Sequence, residues 1–226
     1  MRTHQEIRPP WSKDPRPGLA AFIAGIALAG FIALNAAILF FPAFQSTDAR
    51  VSATLREIAL PGLDPLARSL TFLGSATVMT ALTAIGAVWL YVRGSRSEAG
   101  LLVATMVIGT AVGSMLKLLI ERGRPGLEAA RIPIPDSYSF PSGHALAAFL
   151  FFGVVAFLVF ILADSARVKL AGGLVCTLLA LGVAFSRVYL GVHYLGDVIA
   201  SWMLGSALLV GATSSYVTWV TREQRG

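Results

Sequence analysis

The chain has 226 residues, of which 56% are apolar and only 13% are charged, and its mean hydropathy is +0.73. A soluble domain is about 45–50% apolar and about 25% charged, so the composition excludes a soluble globular protein and indicates one integral membrane domain. The net charge of +6 does not indicate nucleic-acid binding, because the basic residues are scattered between apolar runs. The single cysteine, Cys176, excludes a disulfide framework and a cysteine metal site.

An all-α membrane domain is predicted over residues 18–220, between cytoplasmic tails at 1–17 and 221–226. Six transmembrane helices are expected. The predicted spans cover residues 18–44, 69–92, 98–120, 142–163, 170–186 and 197–219. The first apolar run is too long for a signal peptide, so we expect it to be a retained span. In the connection at 45–68, apolar residues recur at helical spacing and predict an interfacial helix that Pro61-Gly62 ends.

Six spans place both chain termini on one side of the membrane. Ten basic residues fall on that side and eight on the other, and three of those eight are assigned to chemistry below. The positive-inside rule therefore predicts a cytoplasmic (inner) membrane protein with both termini in the cytoplasm. The ends of spans three and five and the starts of spans four and six then face outward. Nearly every unusual polar group falls at one of these four ends, which predicts a single outward-facing site.

The stretch between the fifth and sixth spans carries Arg187, His193 and Asp197, which are costly groups at membrane depth. His193 and Asp197 are four residues apart, so the spacing predicts that they share one helix face. A carboxylate there can hold the imidazole N–H and leave the other ring nitrogen free as a nucleophile or base. The simpler alternative is an aspartate that ties a histidine to a helix start. Gly191 is expected to form a bend that lets Arg187 and His193 point at one centre.

Two cations, Lys117 and Arg124, lie at the end of the third span. They are seven residues apart, so they stack on one face if the helix persists, and Pro125 marks its end. Two cations on one face at the membrane boundary favour an anionic ligand; the alternative is that they reach lipid headgroups. Arg122 and Glu121 are interpreted as surface residues.

The fourth span begins with Pro141-Ser142-Gly143-His144. Proline suits a first helical turn, and the backbone N–H groups of Ser142 and Gly143 at a helix N-terminus form a cradle for an oxyanion or phosphate. His144 lies in this first turn and can exchange a proton with the bound group. The alternative is an ordinary N-cap with an interfacial histidine.

Together these segments supply three cations, one helix N-terminus, one oriented histidine and one free histidine, which suits phosphoryl transfer. Arginine and lysine neutralise the phosphate oxygens. One histidine attacks phosphorus while the second protonates the departing oxygen. The sequence contains no carboxylate cluster suited to Mg²⁺ or Ca²⁺, so we predict a metal-independent mechanism without a cofactor.

The three blocks resemble the signature of the type 2 phosphatidic acid phosphatase superfamily. They are Lys117…Arg124-Pro125, Pro141-Ser142-Gly143-His144 and Ser186-Arg187…His193…Asp197, and all of them match in the same order. The resemblance implies a six-helix, metal-independent membrane enzyme that dephosphorylates lipid phosphates and is related to vanadium haloperoxidases. It also implies that His193 is the nucleophile, Asp197 its orienter and His144 the acid for the leaving group. The implied phosphate-binding residues are Lys117, Arg124, Arg187, Ser142 and Gly143.

The implied partners are a phospholipid or isoprenoid phosphate and the membrane lipids, and the oligomeric state stays undefined. Substrates in similar proteins include phosphatidic acid, phosphatidylglycerol phosphate and undecaprenyl pyrophosphate. An outward-facing site slightly favours undecaprenyl pyrophosphate. Two alternatives stay open: a lipid phosphotransferase that uses the same site, and a non-catalytic lipid-binding or transport relative.

Overall fold

The computed structural model describes residues 17–58, 60–126 and 130–223, which form eight helices. They are α1 (Pro17–Phe40), α2 (Pro42–Arg56), α3 (Leu63–Leu73), α4 (Ala76–Val92), α5 (Arg96–Ile120), α6 (Gly143–Leu162), α7 (Ala166–Tyr189) and α8 (Leu195–Glu223). The predicted tails at 1–17 and 221–226 lie outside the described residues except at their inner ends. There α1 already begins at Pro17, and α8 continues to Glu223.

Six helical segments account for the predicted spans. Five helices, α1, α5, α6, α7 and α8, are each long and apolar enough to cross a membrane. The pair α3 and α4 passes the same test as one segment and is bent by 54°. The protein is therefore an all-α, multi-pass membrane protein, as predicted.

The bend between α3 and α4 falls at Gly74 and Ser75. The Ser75 side chain caps α4 by accepting a hydrogen bond from a backbone N–H of its first turn at 3.3 Å. A Cβ on Gly74 would lie 2.4 Å from a side chain of α7 and 3.5 Å from His144, so only glycine allows this close approach. Counted as one segment, the bent pair starts at Leu63, earlier than the predicted residue 69. Its bend packs against α6 and α7, which carry site residues.

The first span ends at Phe40, earlier than the predicted residue 44, because Pro42 follows. The residue before a proline avoids the helical conformation, and Phe41 accordingly has φ −118° and ψ 97°. Pro42 then starts α2, where its missing N–H is tolerated. A helix between the first two spans therefore exists, but it covers Pro42–Arg56, so it ends before Pro61-Gly62 and not at that pair as predicted.

Helix α6 packs against α4, α5, α7 and α8, while α1 packs along α8. Gly109 and Gly113 of α5 face Leu150 and Leu146 of α6 so closely that a Cβ would clash at 2.1 Å and crowd at 3.0 Å, respectively. This tight packing fixes the C-terminal end of α5 beside the N-terminal end of α6. Helix α2 contacts α7 and α8 and covers the same end of the bundle.

Candidate active site

His193 lies in the turn between α7 and α8, so the prediction that it shares a helix face with Asp197 is wrong. Gly191 has φ 74°, a left-handed conformation that favours glycine, and it forms the predicted bend. The chain then folds back, and the N–H of His193 donates to the carbonyl of Arg187 at 3.2 Å. The turn holds His193 against the end of α7, where it is 1% exposed.

Asp197, in the first turn of α8, orients His193 from the helix start. Its Oδ2 lies 3.3 Å from Nδ1 of His193, and it accepts hydrogen bonds from the Tyr194 N–H at 3.0 Å and from the Ser139 hydroxyl. The carboxylate therefore ties the histidine to the start of α8 and also faces its Nδ1. The structural interpretation of Asp197 and its interpretation as the residue that orients His193 are thus compatible. The other ring nitrogen, Nε2, lies 3.1 Å from Nη1 of Arg124.

The surroundings of His193 favour the neutral ring. Burial lowers the pKa of His193 to about 4, although the Asp197 carboxylate acts in the opposite direction. The carboxylate faces Nδ1 and an arginine donor faces Nε2, so the hydrogen-bond geometry places the proton on Nδ1 and the lone pair on Nε2. This tautomer is the one that a nucleophilic Nε2 requires.

Lys117 and Arg124 do not stack on one helix, because α5 ends at Ile120 and Glu121 takes a left-handed conformation with φ 48°. The two cations still meet, at the carbonyl of Tyr138, which is 2.5 Å from Nζ of Lys117 and 3.3 Å from Nη2 of Arg124. Arg124 also donates to the carbonyl next to His193 at 2.7 Å. Burial lowers the pKa of Arg124, because the charged guanidinium loses part of its hydration. An anionic ligand would replace that lost hydration.

Helix α6 begins at Gly143 with Ser142 as its N-cap. Pro141 therefore precedes the helix instead of lying in its first turn as predicted, and the N-cap of the alternative interpretation is present. The Ser142 hydroxyl accepts from a backbone N–H of the first turn at 3.5 Å, and the Ser142 N–H donates to the carbonyl of Asp197 at 3.4 Å. The starts of α6 and α8 are therefore joined directly. A Cβ on Gly143 would meet only the Lys117 side chain, at 4.0 Å, so this helix N-terminus is open toward Lys117.

Arg187 comes from the last turn of α7 and is 2% exposed. Its Nη1 donates to the hydroxyl of Thr71 on α3, whereas its Nε is buried and has no partner among the described residues. A buried N–H without a partner is rare, and it indicates an acceptor that a ligand supplies.

His144, in the first turn of α6, is close to the other charged residues of the site. Four predicted site residues lie near enough to interact with it electrostatically: Arg187, His193, Arg124 and Lys117. Residues from three separate sequence blocks thus lie at one end of the bundle.

The three predicted phosphate-binding cations have no carboxylate partner in the part of the chain that the structure describes. The ion pairs found there use Arg122, Arg131 and His193 as their basic members. Among the same residues, no group of three or more His, Cys, Asp or Glu side chains could hold a metal ion. Because buried cations without counter-charge are costly, the site has a net demand for an anion.

Four residues at this end of the bundle were not predicted as site residues: Ser139, Thr71, Arg122 and Asp48. The interpretation of Arg122 as a surface residue is wrong, because its side chain is 11% exposed and pairs with Asp197 at 2.6 Å and with Asp48 at 2.8 Å. A weak signal existed for Asp48, since it and Ser52 are four residues apart and mark a polar face of α2. No sequence pattern pointed to Arg122 or Thr71 themselves, because folding of α2 and α3 over the site creates their contacts.

A groove of about 680 Å³ leads from the site into the bundle between α4, α5 and α6. Lys117, Gly143 and His144 line its upper end, and Val103 and Leu150 line its lower end. Helix α5 rises about 21 Å from Val103 to Lys117 at 1.5 Å per residue. The groove therefore runs through much of the roughly 30 Å hydrocarbon layer.

Fold and site together define a multi-pass membrane protein whose helix ends hold a His–Asp pair among unpaired cations, an arrangement that can bind and neutralise a phosphate. The chain belongs to the PAP2 superfamily, whose family model matches residues 98–221. The phosphatidylglycerophosphatase B of Bacillus subtilis (strain 168) is 34% identical over 187 residues, which are 81% of this chain and 90% of that protein. An undecaprenyl-diphosphatase of Sulfolobus acidocaldarius is 37% identical over 109 residues, or 46% of this chain and 48% of that protein.

The fold is also that of a solved relative. The crystal structure of a transmembrane PAP2-type phosphatidylglycerolphosphate phosphatase from Bacillus subtilis superposes with a TM-score of 0.77 at 30% identity, covering 85% of this chain and 94% of that chain. The match extends over the bundle and not only over the three motif blocks. The superfamily resemblance is confirmed, and the chain is an integral membrane phosphatase.

Proposed function

We propose that the protein hydrolyses a lipid phosphate through a phosphohistidine on His193. The observation that carries this proposal is the set of buried and half-buried cations near His193 that lack carboxylate partners among the described residues. Three charges of this kind match a phosphate group, which carries about −1.5 to −2 at neutral pH. The buried and unpartnered Nε of Arg187 adds a specific donor for one of its oxygens.

In the proposed reaction, the lone pair on Nε2 of His193 attacks phosphorus, and the bond from phosphorus to the lipid oxygen breaks. His144 donates a proton to that departing oxygen, and Asp197 stabilises the positive charge that develops on the histidine ring. Water then attacks the phosphohistidine while His144 takes up a proton from it, which releases inorganic phosphate and restores His193. Lys117, Arg124 and Arg187 hold the phosphate oxygens, with the backbone N–H of Gly143 completing the cradle. Ser142 shapes this helix start as its N-cap, because its own N–H is engaged by the Asp197 carbonyl. These cations take the charge-neutralising role that metal ions have in other phosphatases.

The groove supports a lipid as the substrate. A headgroup at Lys117 and His144 can react while its acyl or isoprenoid tail extends between α4 and α5 toward Val103. A soluble phosphate ester would leave this long and mainly apolar space unfilled. The tail already lies in the hydrocarbon layer, so its fit in the groove positions the lipid by packing and adds no transfer energy from water. The phosphate supplies the chemistry.

Hydroxyl groups in the groove favour a glycerophospholipid over an isoprenoid. Thr80, Thr110 and Ser114 line the groove, and none of them has a hydrogen-bond partner among the described residues. Thr110, Ser114 and Lys117 recur at helical spacing on α5, so the hydroxyls follow the lysine down one face. In phosphatidylglycerol phosphate, a phosphodiester and two ester carbonyls lie between the terminal phosphate and the acyl tails, so acceptors for these hydroxyls continue down the groove. In undecaprenyl pyrophosphate the acceptors end at the inner phosphate, and the isoprenoid chain beyond it offers none.

The first candidate substrate is therefore phosphatidylglycerol phosphate, in agreement with the name of the Bacillus subtilis relative. Undecaprenyl pyrophosphate is the second, favoured by the shorter match to the Sulfolobus acidocaldarius protein and by the inferred outward site. The distribution of basic residues supports insertion in the cytoplasmic membrane with both termini inside. The site then faces outward, since it lies at the ends of α5 and α7 and the starts of α6 and α8.

The test is phosphate release by the purified protein from phosphatidylglycerol phosphate, phosphatidic acid and undecaprenyl pyrophosphate, with the His193→Ala variant as the blank. We expect release from lipid phosphates, fastest from phosphatidylglycerol phosphate, and none from the folded blank. Full activity of His193→Ala refutes the nucleophile assignment. Transfer to an added alcohol in place of free phosphate establishes the phosphotransferase, and no turnover of any lipid by a folded wild type establishes the non-catalytic relative.

The double variant Thr110→Val and Ser114→Ala tests whether the groove hydroxyls bind the lipid. Turnover of phosphatidylglycerol phosphate at low concentration should fall about 30-fold relative to undecaprenyl pyrophosphate, as expected for two hydrogen bonds at about 1 kcal/mol each. An unchanged ratio between the two substrates contradicts the ester assignment.

A further inference from the structure

Arg122 forms a buried bridge between two carboxylates from distant parts of the chain. Its Nη1 lies 2.6 Å from Oδ1 of Asp197, and its Nη2 lies 2.8 Å from Oδ2 of Asp48 on α2. The guanidinium also stacks over the Tyr194 ring, 4.3 Å from its centroid. Burial disfavours its charge, but Asp197 and Asp48 outweigh this effect and raise the pKa of Arg122. Arg122 is therefore engaged with protein groups and is not available to lipid headgroups.

Helix α2 also completes the start of α8. The Oδ1 of Asp48 accepts from the N–H of Gly196 at 2.9 Å, and the hydroxyl of Ser52 accepts from the N–H of Leu195 at 2.9 Å. The first N–H groups of a helix have no partner within it, so α2 caps α8 from outside. A Cβ on Gly196 would lie 2.6 Å from the Asp48 carboxylate, which shows how closely the two helices meet.

We propose that Arg122 and Asp48 are positioning residues for phosphoryl transfer to His193, which makes α2 a working part of the active site. This inference rests on the proposed function. Asp48, Arg122, Asp197 and His193 form a row of alternating charge once the histidine ring becomes positive. Arg122 compensates the buried Asp197 carboxylate and fixes its Oδ1, so that Oδ2 stays directed at Nδ1 of His193. Asp48 neutralises part of the positive charge of Arg122. The negative charge of Asp197 is therefore not fully compensated by Arg122 and still stabilises a positive charge on the histidine ring.

Arg122→Gln should lower kcat about 100-fold, and Asp48→Asn about tenfold, within the range typical of residues that orient an active-site group through another. KM should stay within about threefold of the wild-type value, because neither residue touches the substrate. The combined variant should be less impaired than the product of the two single losses, since contacting charges are coupled. Arg50→Gln is the matched control, because Arg50 lies exposed on the same helix and donates only to a carbonyl of that helix.

The decisive measurement is the rate of phosphohistidine formation in a rapid-quench experiment with ³²P-labelled phosphatidylglycerol phosphate, together with the thermal midpoint of each variant. Slower phosphorylation of a folded variant, with unchanged inhibition by inorganic phosphate, supports a positioning role. A purely structural tie predicts a lower midpoint with unchanged phosphorylation, and that result overturns the inference. Weaker inhibition by inorganic phosphate, to the extent found for Arg187→Ala, also overturns it, because Arg122 would then be a phosphate ligand.

Arg122→Lys keeps the experiment conclusive if Arg122→Gln does not fold. Lysine retains the charge but cannot reach both carboxylates with a planar fork, so it should show an intermediate rate of phosphorylation. If Arg122→Lys and Asp48→Asn both phosphorylate His193 at the wild-type rate, the inference is overturned, whether or not Arg122→Gln folds. A wild-type protein that never phosphorylates His193 refutes the proposed function itself, which separates the two failures.

Discussion

Acidification should destabilise the protein through His193 in particular. Burial lowers the pKa of His193 to about 4 in the folded protein, whereas an unfolded histidine has a pKa near 6.5. The unfolded state therefore takes up a proton at a higher pH than the folded state does. Stability from this residue is fully present above pH 6.5, and it is lost progressively as the pH falls from 6.5 toward 4.

The expected loss follows from the two pKa values. Between pH 8 and pH 5, proton uptake by the unfolded state removes about 2 kcal/mol from the free energy of unfolding. For a chain of this length, such a change shifts the thermal midpoint by about 4–8 °C. Replacing His193 by glutamine removes the titrating ring and should abolish this part of the pH dependence.

The assay is thermal unfolding in detergent at pH 8 and pH 5, followed by circular dichroism, for the wild type and for His193→Gln. The fall in thermal midpoint from pH 8 to pH 5 should be smaller by about 4–8 °C in the variant than in the wild type. Titrating groups that the two proteins share contribute equally to both and cancel in this comparison. Arg50→Gln serves as the control, since it changes an exposed residue and no histidine. An identical pH dependence in the wild type and His193→Gln refutes the reasoning, because it shows that His193 is not buried as a neutral ring.

Three substitutions and one treatment test the rest of the site. Asp197→Asn should lower kcat by several orders of magnitude, because the wrong tautomer is then favoured, and a loss below about tenfold in phosphate release counts against that role. Ser139→Ala removes the hydroxyl that donates to Asp197 and should lower kcat about tenfold with little change in KM, as steady-state kinetics would show. Thr71→Val removes the partner of Arg187 and should raise KM about tenfold, the cost of one hydrogen bond to a charged group; an unchanged KM contradicts that contact. Chelation by EDTA should leave phosphate release intact, and a strict metal requirement would overturn the cation-only mechanism.

The fold and the placement of the site could be predicted because both depend on patterns that are visible in the sequence itself. Apolar runs of about 20 residues give spans with few alternatives. Antiparallel spans then bring the end of α5 and the start of α6 together, so Lys117 and His144 must lie at the same end of the bundle. The bend at Gly191 was also predictable, since a left-handed turn favours glycine.

The errors arose where helix boundaries or distant partners decide the geometry. Spacing alone placed Lys117 and Arg124 on one helix, but α5 stops between them at Ile120. Spacing also placed His193 and Asp197 on a helix face, although only Asp197 is helical. Arg122 had no local signal at all, because Asp48 lies 74 residues away and reaches it only after α2 folds over the bundle.

The structure divides the basic residues at this end of the bundle into two groups by their counter-charges. Arg122 is compensated by two aspartates, whereas Lys117, Arg124 and Arg187 donate to neutral oxygens within the described residues. An aspartate beside any of the latter three would compete with the substrate phosphate for the same donors and repel its charge. The carboxylates are instead held on the Nδ1 side of the His193 ring, where negative charge would stabilise the proposed phosphohistidine without meeting the phosphate. This separation explains why a site with so many charged residues keeps its demand for an anion. Of the two aspartates that compensate Arg122, Asp197 belongs to the third motif block, whereas Asp48 comes from α2, outside the three blocks.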